Sequence, residues 1–303
     1  MTAEEFTRIA NNFYVQSSLA STPERIAIDS HFINYLAAHQ GEKKFKIALC
    51  CICINPPYWQ YAKDMLEGSK KFFLPGHNVD LLLWSDMPDT DYGATVIPTE
   101  PAEWPLPTLM RYSLLLQEEE RLKGYDYVFY CDIDMKFVGI VGDEILGQGL
   151  TAAQHPMYAL RKEYWPPYEP NPESSAYIKR PGKVINDNGQ PRFMPLYFAG
   201  GLQGGTSKAF IEAMKEMKKM IDKDFSKNYV AIWNDESIWN RYLFDHEPAV
   251  VLTPSYIYPD SLIKEYYEKL WGCSYQPKLM TLTKKFSVSK EGGQAVMDMI
   301  KNN

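Results

Sequence analysis

Apolar positions along the chain fall into alternating blocks of two kinds. "KFKIALCCICIN" (44–55) is a continuous apolar run of strand length, stopped by Pro56 and Pro57. "YWQYAKDMLEGSKKFF" (58–73) then carries its apolar residues at helical spacing as far as Pro75-Gly76. "NVDLLLWSD" (78–86) predicts a second strand, "TLMRYSLLLQEEERLKG" (108–124) a helix closed by Gly124, and "DYVFYCDIDMKF" (126–137) a third strand. Unbroken apolar strands alternating with amphipathic helices predict an α/β fold around a largely parallel sheet.

The second half is less regular. Residues 161–172 are rich in proline and aromatics, and the polar stretch "KRPGKVINDNGQPR" (179–192) follows. "FAGGLQGG" (198–205) predicts a glycine-rich turn leading into a helix from about Thr206. In that helix Phe210, Met214, Met217 and Ile221 recur at core-facing steps. "IWNDESIWNRYLFDH" (232–246) predicts another helix, with Asn234 as its N-cap, and "AVVLTPSYIY" (249–258) a last strand. Residues 1–42 read as a polar helical extension with Ile26, Ile28, Phe32, Ile33, Tyr35 and Leu36 as a loose apolar stripe. Residues 281–303 read as a flexible tail, which leaves 43–280 as a single domain.

Composition narrows the class. The 303 residues, 45% of them hydrophobic, are enough for a sizeable core and too apolar for a disordered chain. A net charge of -6 argues against a nucleic-acid partner. No apolar run approaches the roughly 20 residues of a membrane span, and "MTAEEFTRIANNF" is acidic where a signal peptide is basic. The expectation is a cytoplasmic protein with no membrane span. The five cysteines fit that setting. Cys50 and Cys51 point to opposite faces of one strand, Cys53 follows, and Cys131 and Cys273 stand apart, so reduced and mostly buried thiols are expected.

Candidate chemistry begins with Asp132 and Asp134. On a strand, residues i and i+2 face the same way, and the functional crevice of an open α/β sheet lies beyond the carboxyl ends of its strands. Two carboxylates aimed there call for a cation, and Mn²⁺ or Mg²⁺ suits hard oxygen ligands. The plainer reading is that "DID" opens a solvated turn. In "WNDESIWN", Asp235 and Glu236 could simply complement a helix N-terminus. Trp233 and Trp239 on either side add faces on which a sugar ring could stack, beside a carboxylate able to meet an anomeric cation. "AGGLQGG" lacks the features of a phosphate-binding loop, and its glycines allow either unusual dihedrals or close approach of a ligand. His155 and Arg111 carry no assignment from spacing alone. A metal-dependent phosphatase and a lectin-like binding module are the competing classes. The phosphatase reading leaves "WNDES" unexplained, and it places its acidic motif unusually late in the chain.

The order of "FLPGH" (73–77), "CDIDMKF", His155-Pro156, Tyr168-Glu169 through Ala176-Tyr177-Ile178, "GGLQGG", "NDES" and "VLTPSYI" resembles the family 6 glycosyltransferases, over roughly residues 45–296. The resemblance implies a GT-A fold, a mixed and largely parallel sheet flanked by helices. It also implies retaining transfer of galactose or N-acetylgalactosamine from a UDP-sugar to the 3-position of a galactoside acceptor, in α linkage. On the same basis Asp132 and Asp134 would hold Mn²⁺ (Mg²⁺ as the alternative) against the diphosphate, with Ile133 between them. Cys53, Ile54, Asn55 and Tyr58 would hold the nucleoside, and Arg111, Gly200 and Asp235 would meet the donor. Glu236 matches the catalytic carboxylate, while His155, Trp233 and Asp260 match acceptor contacts. The basic tail that closes over the diphosphate aligns through Lys290, with Lys285 the next basic position.

Several departures stand out. The expectation is a member without the membrane anchor of the mammalian enzymes; Asn234 stands where the blood-group enzymes have histidine, and the segment before Phe198 is longer. Small residues at Ala199 and Gly201 leave room for an N-acetyl group and lean the donor toward UDP-GalNAc. The lean is modest, since a methyl group discriminates by about 1–3 kcal/mol.

Overall fold

The computed structural model describes residues 44–87, 92–159, 166–179, 197–260, 264–271 and 275–284. The helix predicted within residues 1–42, Cys273, and the tail from 285 onward with Lys285 and Lys290 lie outside the described residues. In chain order the elements are β1 (Lys46–Cys53), α1 (Pro56–Phe72), β2 (Asn78–Ser85) and β3 (Thr95–Pro98). Three short helical segments follow, α2 (Leu106–Leu109), α3 (Arg111–Leu116) and α4 (Glu119–Leu122), then β4 (Tyr127–Cys131), β5 (Met135–Phe137) and β6 (Leu150–Gln154). The chain continues with β7 (Phe198–Thr206), α5 (Ser207–Phe225), α6 (Asn234–Asp245), β8 (Val250–Leu252), β9 (Tyr258–Pro259), α7 (Lys264–Trp271) and β10 (Leu279–Thr281).

The main sheet has the order β3-β2-β1-β4-β7-β6-β8. β3, β2, β1 and β4 run parallel, β7 runs against both β4 and β6, and β8 is parallel to β6. β1 lies between two parallel neighbours, which is why its run is apolar on both faces. Ala48, Cys50 and Ile52 enter one core layer with Trp84, Tyr112 and Phe210. Leu49, Cys51 and Cys53 enter the other with Met65, Phe129 and Met135. Cys50, Cys51, Cys53 and Cys131 are free and buried, as their alternation predicts, and burial pushes the Cys53 thiol up to about 12. No described helix is long and apolar enough to cross a membrane.

Five expectations need correction. The proline pair at 56–57 opens α1 rather than merely ending β1, because proline at the first helical positions forfeits no helix hydrogen bond. The helix expected over 108–124 is three segments, tightened at Met110 and Gln117 by amides that reach back three residues or share two carbonyls. Residues 126–137 are not one strand. β4 ends at Cys131, Asp132–Asp134 form a turn, and β5 pairs with β10 in a separate sheet of order β5-β10-β9. "FAGGLQGG" is not a turn but the central strand β7, and the stretch 249–258 breaks into β8, a 3₁₀ turn at Pro254–Tyr256, and β9.

Glycine suits β7 for a packing reason at its far end. A Cβ on Gly204 would lie 2.3 Å from the Phe129 ring and 2.7 Å from the Val128 carbonyl oxygen. Gly205, with φ near +146°, would meet the Gly149 carbonyl. These two glycines let β4, β7 and β6 approach.

Candidate active site

β7 begins where β4 ends, because the strands are antiparallel: Cys131 pairs with Leu202, and the Asp132 amide donates to the Gly201 carbonyl at 2.9 Å. The start of β7 is therefore laid beside the acidic turn. A Cβ on Gly201 would come within 3.1 Å of Asp132 Oδ2, while one on Gly200, facing the other way, would meet Asp235 Oδ2 and Glu236 Cβ at 3.4 Å. The backbone of two adjacent glycines thus separates the acidic turn from the acids of α6.

Arg111 joins both sides. From the first position of α3 its Nη1 donates to the Gly200 carbonyl at 2.6 Å and lies 2.7 Å from Asp235 Oδ2, while Nη2 donates to Asp132 Oδ1 at 2.9 Å. The guanidinium also stacks 3.9 Å above the Tyr130 ring, whose hydroxyl donates to Asp132 Oδ1 at 2.8 Å. Burial alone would lower the Arg111 pKa, but Asp235, Tyr130 and Asp132 reverse that and hold it above its ordinary value. Gln203 adds a second donor to the Gly200 carbonyl and is itself fixed by the Tyr112 hydroxyl.

Glu236 is held from the opposite direction. Its Oε2 accepts from the Gly200 amide at 2.8 Å, and the nearby Tyr197 hydroxyl also favours its charged form. Burial raises Glu236 to about 7, against the pull of those two donors. Burial likewise pushes Asp235 up, with Arg111 opposing. Asn240, one turn along α6, locks helix to strand by accepting from the Phe198 amide and donating to the Phe198 carbonyl. Asn234 does not cap α6 with its side chain; it is the first helical residue and takes φ +51°, which asparagine tolerates. Ser237 Oγ accepts from the Trp233 amide at 3.1 Å instead.

Asp134, 7% exposed, faces a different cation. Lys284 Nζ lies 3.2 Å from its Oδ2 and 5.3 Å above the Tyr58 ring, and the Leu282 amide donates to the Asp134 carbonyl. Burial, then the neighbouring charge of Asp132, raises the Asp134 pKa, and Lys284 opposes. Tyr58 is thereby brought to the acidic turn. Ile133, Cys53 and Ile54 are buried, so their side chains belong to the core and the backbone is what they present. Asn55, at φ +81°, donates its amide to the Asp86 carboxylate at 3.1 Å and its side chain to the Ala102 carbonyl at 2.5 Å. Trp59 Nε1 also donates to Asp86, so Asp86 organises this corner although nothing in its local sequence marks it.

His155 follows β6 and donates its amide to the Tyr197 carbonyl, which links it to the residue near Glu236. Its Nδ1 accepts from the Met157 amide at 3.2 Å, leaving the proton on Nε2, and burial lowers its pKa to about 4. It is a neutral donor at physiological pH. Trp233 is half exposed and donates Nε1 to the Pro167 carbonyl. Trp239 is not the second platform the sequence offered; it is fully buried against Phe210, because helical spacing turns it from Trp233 into the core. Ala199 is buried on the same face of β7 as Gly201. Asp260 accepts from the Thr283 amide at 2.7 Å, which ties it to the segment carrying Lys284. Glu169 was named only within a motif run and given no role. Buried at 1% exposure, it accepts from the Asn171 amide, the Tyr229 hydroxyl and the Ile232 amide, and so fixes the approach to Trp233.

Asp132 and Asp134 suit a divalent cation. Asp132 Oδ1 is engaged by Arg111 and Tyr130, Oδ2 faces Gly201, and the buried Asp134 already requires a positive partner. Among the described residues no third His, Cys, Asp or Glu joins them, so such an ion would need oxygens from a ligand.

A mixed sheet with one reversed strand beside an acidic turn, and an acidic helix start across that strand, defines a GT-A-type glycosyltransferase. The chain belongs to glycosyltransferase family 6, whose model matches residues 26–280. It is 32% identical over 218 residues to the rat histo-blood group ABO system transferase 1, a match covering 68% of this chain and 59% of that one. It is 27% identical to the human globoside alpha-1,3-N-acetylgalactosaminyltransferase 1, over 67% of this chain and 58% of that one. The Escherichia coli O-antigen biosynthesis glycosyltransferase WbnI is 27% identical over 54% of this chain and 66% of its own. The chain spans about three-fifths of the length of the mammalian relatives it matches. The family match weighs against the phosphatase and lectin readings.

Proposed function

We propose that the protein is a retaining α1,3-glycosyltransferase that moves N-acetylgalactosamine, or galactose, from a UDP-sugar to a galactoside. The observation that carries this reading is the pair Gly200–Gly201, with Glu236 hydrogen-bonded on one side and Asp132 on the other. Hydrogen in place of side chains there lets the strand lie against both acids without displacing either, so the two flank the same short stretch of backbone. Asp132 and Asp134 would hold Mn²⁺, which would supply Lewis-acid stabilisation to the departing diphosphate. Tyr58 and the backbone of 53–55 take the nucleoside. Arg111 fixes Asp132 and Asp235 so that neither moves as charge develops.

Glu236, pinned by the Gly200 amide, meets the positive charge at the anomeric carbon from the face opposite the diphosphate. It does so either as nucleophile or as counter-charge to an oxocarbenium ion, and in both cases configuration is retained. His155 Nε2–H and the half-exposed Trp233 receive the acceptor. The name of the human relative supports the linkage and the N-acetylgalactosaminyl group, and the small residues Ala199 and Gly201 agree with that donor.

The test is a panel of UDP-sugars against plain and fucosylated galactosides, with the linkage read by NMR and UDP affinity measured with and without Mn²⁺. Glu236→Gln lowers transfer by at least ~10²-fold and leaves UDP affinity nearly unchanged. Normal transfer by that variant removes the catalytic assignment, and metal-independent UDP binding removes the role of the acidic turn.

A further inference from the structure

Resting on the donor site just described, we propose that Lys284 is the resident counter-cation of Asp134 and trades places with the divalent ion. The ion then enters as its complex with the nucleoside diphosphate, and the displaced ammonium moves onto a phosphate oxygen.

The contact is built rather than incidental. Lys284 Nζ lies 3.2 Å from Asp134 Oδ2 and 5.3 Å above the Tyr58 ring, so it stands between the acidic turn and the nucleoside corner. Residues 281–283 are strapped in place just before it. The Leu282 amide donates to the Asp134 carbonyl, the Thr283 amide to Asp260 Oδ2, and the Asp260 amide to the Thr281 carbonyl.

Asp134 needs such a partner. A buried carboxylate beside a second carboxylate is costly without a compensating charge. Arg111, the other cation nearby among the described residues, divides its two terminal nitrogens between Asp132 and Asp235. An ammonium and a divalent ion at one carboxylate oxygen repel each other strongly at that separation, so they exclude one another. Lysine suits the exchange, since its charge sits at the end of a flexible stem and its side chain here is 37% exposed. A phosphate oxygen arriving next to Tyr58 gives the ammonium a new partner within reach of that stem.

The experiment uses the full chain and its Lys284→Met and Lys284→Arg variants. Mn²⁺ binding without nucleotide is read from the electron paramagnetic resonance of the free ion, and UDP binding at saturating Mn²⁺ by calorimetry. Expected for Lys284→Met is several-fold tighter Mn²⁺ binding together with several-fold weaker UDP binding, with Lys284→Arg close to the parent in both. The opposed signs are the signature, since damaged folding weakens both. Unchanged or weakened Mn²⁺ binding in Lys284→Met overturns the exchange while leaving the donor site intact. A parent protein that shows no Mn²⁺-dependent UDP binding overturns the donor site itself.

Discussion

Arg111 and Asp235 meet at 2.7 Å with each side chain only 3% exposed. The same guanidinium reaches the Gly200 carbonyl and Asp132, so one side chain connects α3, β7, α6 and the acidic turn. Arg111→Met leaves two carboxylates without their counter-charge and lowers stability by about 3–5 kcal/mol, read from urea unfolding. Arg111→Lys recovers little of it, because a point charge cannot bridge three acceptors as the planar fork does.

Glu236 sets the pH behaviour. Burial lifts its pKa from the ordinary 4.5 to about 7. In the proposed mechanism transfer requires the carboxylate, so the expected rate rises with pH through about 7 and levels above it. Stability runs the other way. The folded chain keeps a proton that the unfolded chain loses near 4.5, so this contribution is complete below that pH and fades as pH rises to about 7. It is worth on the order of 3 kcal/mol. Tyr197→Phe removes a donor that lowers the Glu236 pKa, moving the acid limb of the rate profile to higher pH while UDP affinity stays constant. A profile that does not move dissociates Tyr197 from Glu236.

The glycines of β7 divide into two kinds. Gly204→Ala forces a methyl against Phe129 and the Val128 carbonyl and destabilises the fold by about 1–3 kcal/mol, seen as a lowered melting temperature. Gly201→Ala meets Asp132 Oδ2 at 3.1 Å and the Met135 sulfur at 3.3 Å. Its main effect is on Mn²⁺-dependent nucleotide binding, with a smaller change in melting temperature.

Glu169 anchors the approach to the acceptor side. Glu169→Ala leaves the Ile232 amide, the Asn171 amide and the Tyr229 hydroxyl without their acceptor, at a cost of about 1–3 kcal/mol for each group that stays buried. Because Ile232 adjoins Trp233, the acceptor KM rises more than the UDP dissociation constant. Equal changes in both place Glu169 outside the acceptor wall.

β1, α1, β2 and the long helix α5 were legible because their apolar periodicity coincides with burial on one stripe or two faces. The acidic turn was misread as strand. What ends β4 is the partnership with β7 giving out at Cys131, and that lies in a segment roughly seventy residues away. The same long-range pairing makes "FAGGLQGG" a strand despite its composition: the glycines answer to the Phe129 ring and the Gly149 carbonyl, not to a local turn. Asp132 and Asp134 were marked as candidates by their spacing, and Asp235 and Glu236 by the flanking tryptophans and the family resemblance. Lys284, Tyr197, Asp86 and Glu169 were not, since each acts through a contact distant in sequence. Trp239 shows the converse, a residue whose neighbourhood to Trp233 in sequence is undone by the turn of the helix.

The reversal of β7 also has a bearing on how such an enzyme diversifies. Its opening residues reach the crevice as the strand enters the sheet, whereas those of β1 and β4 reach it as their strands leave. On the proposed reading, the grip on the nucleotide and the fit around the sugar come from stretches of chain that run in opposite senses and are joined through Arg111. Substitutions at 199–201 can alter the cargo while the handle by which it is carried stays the same.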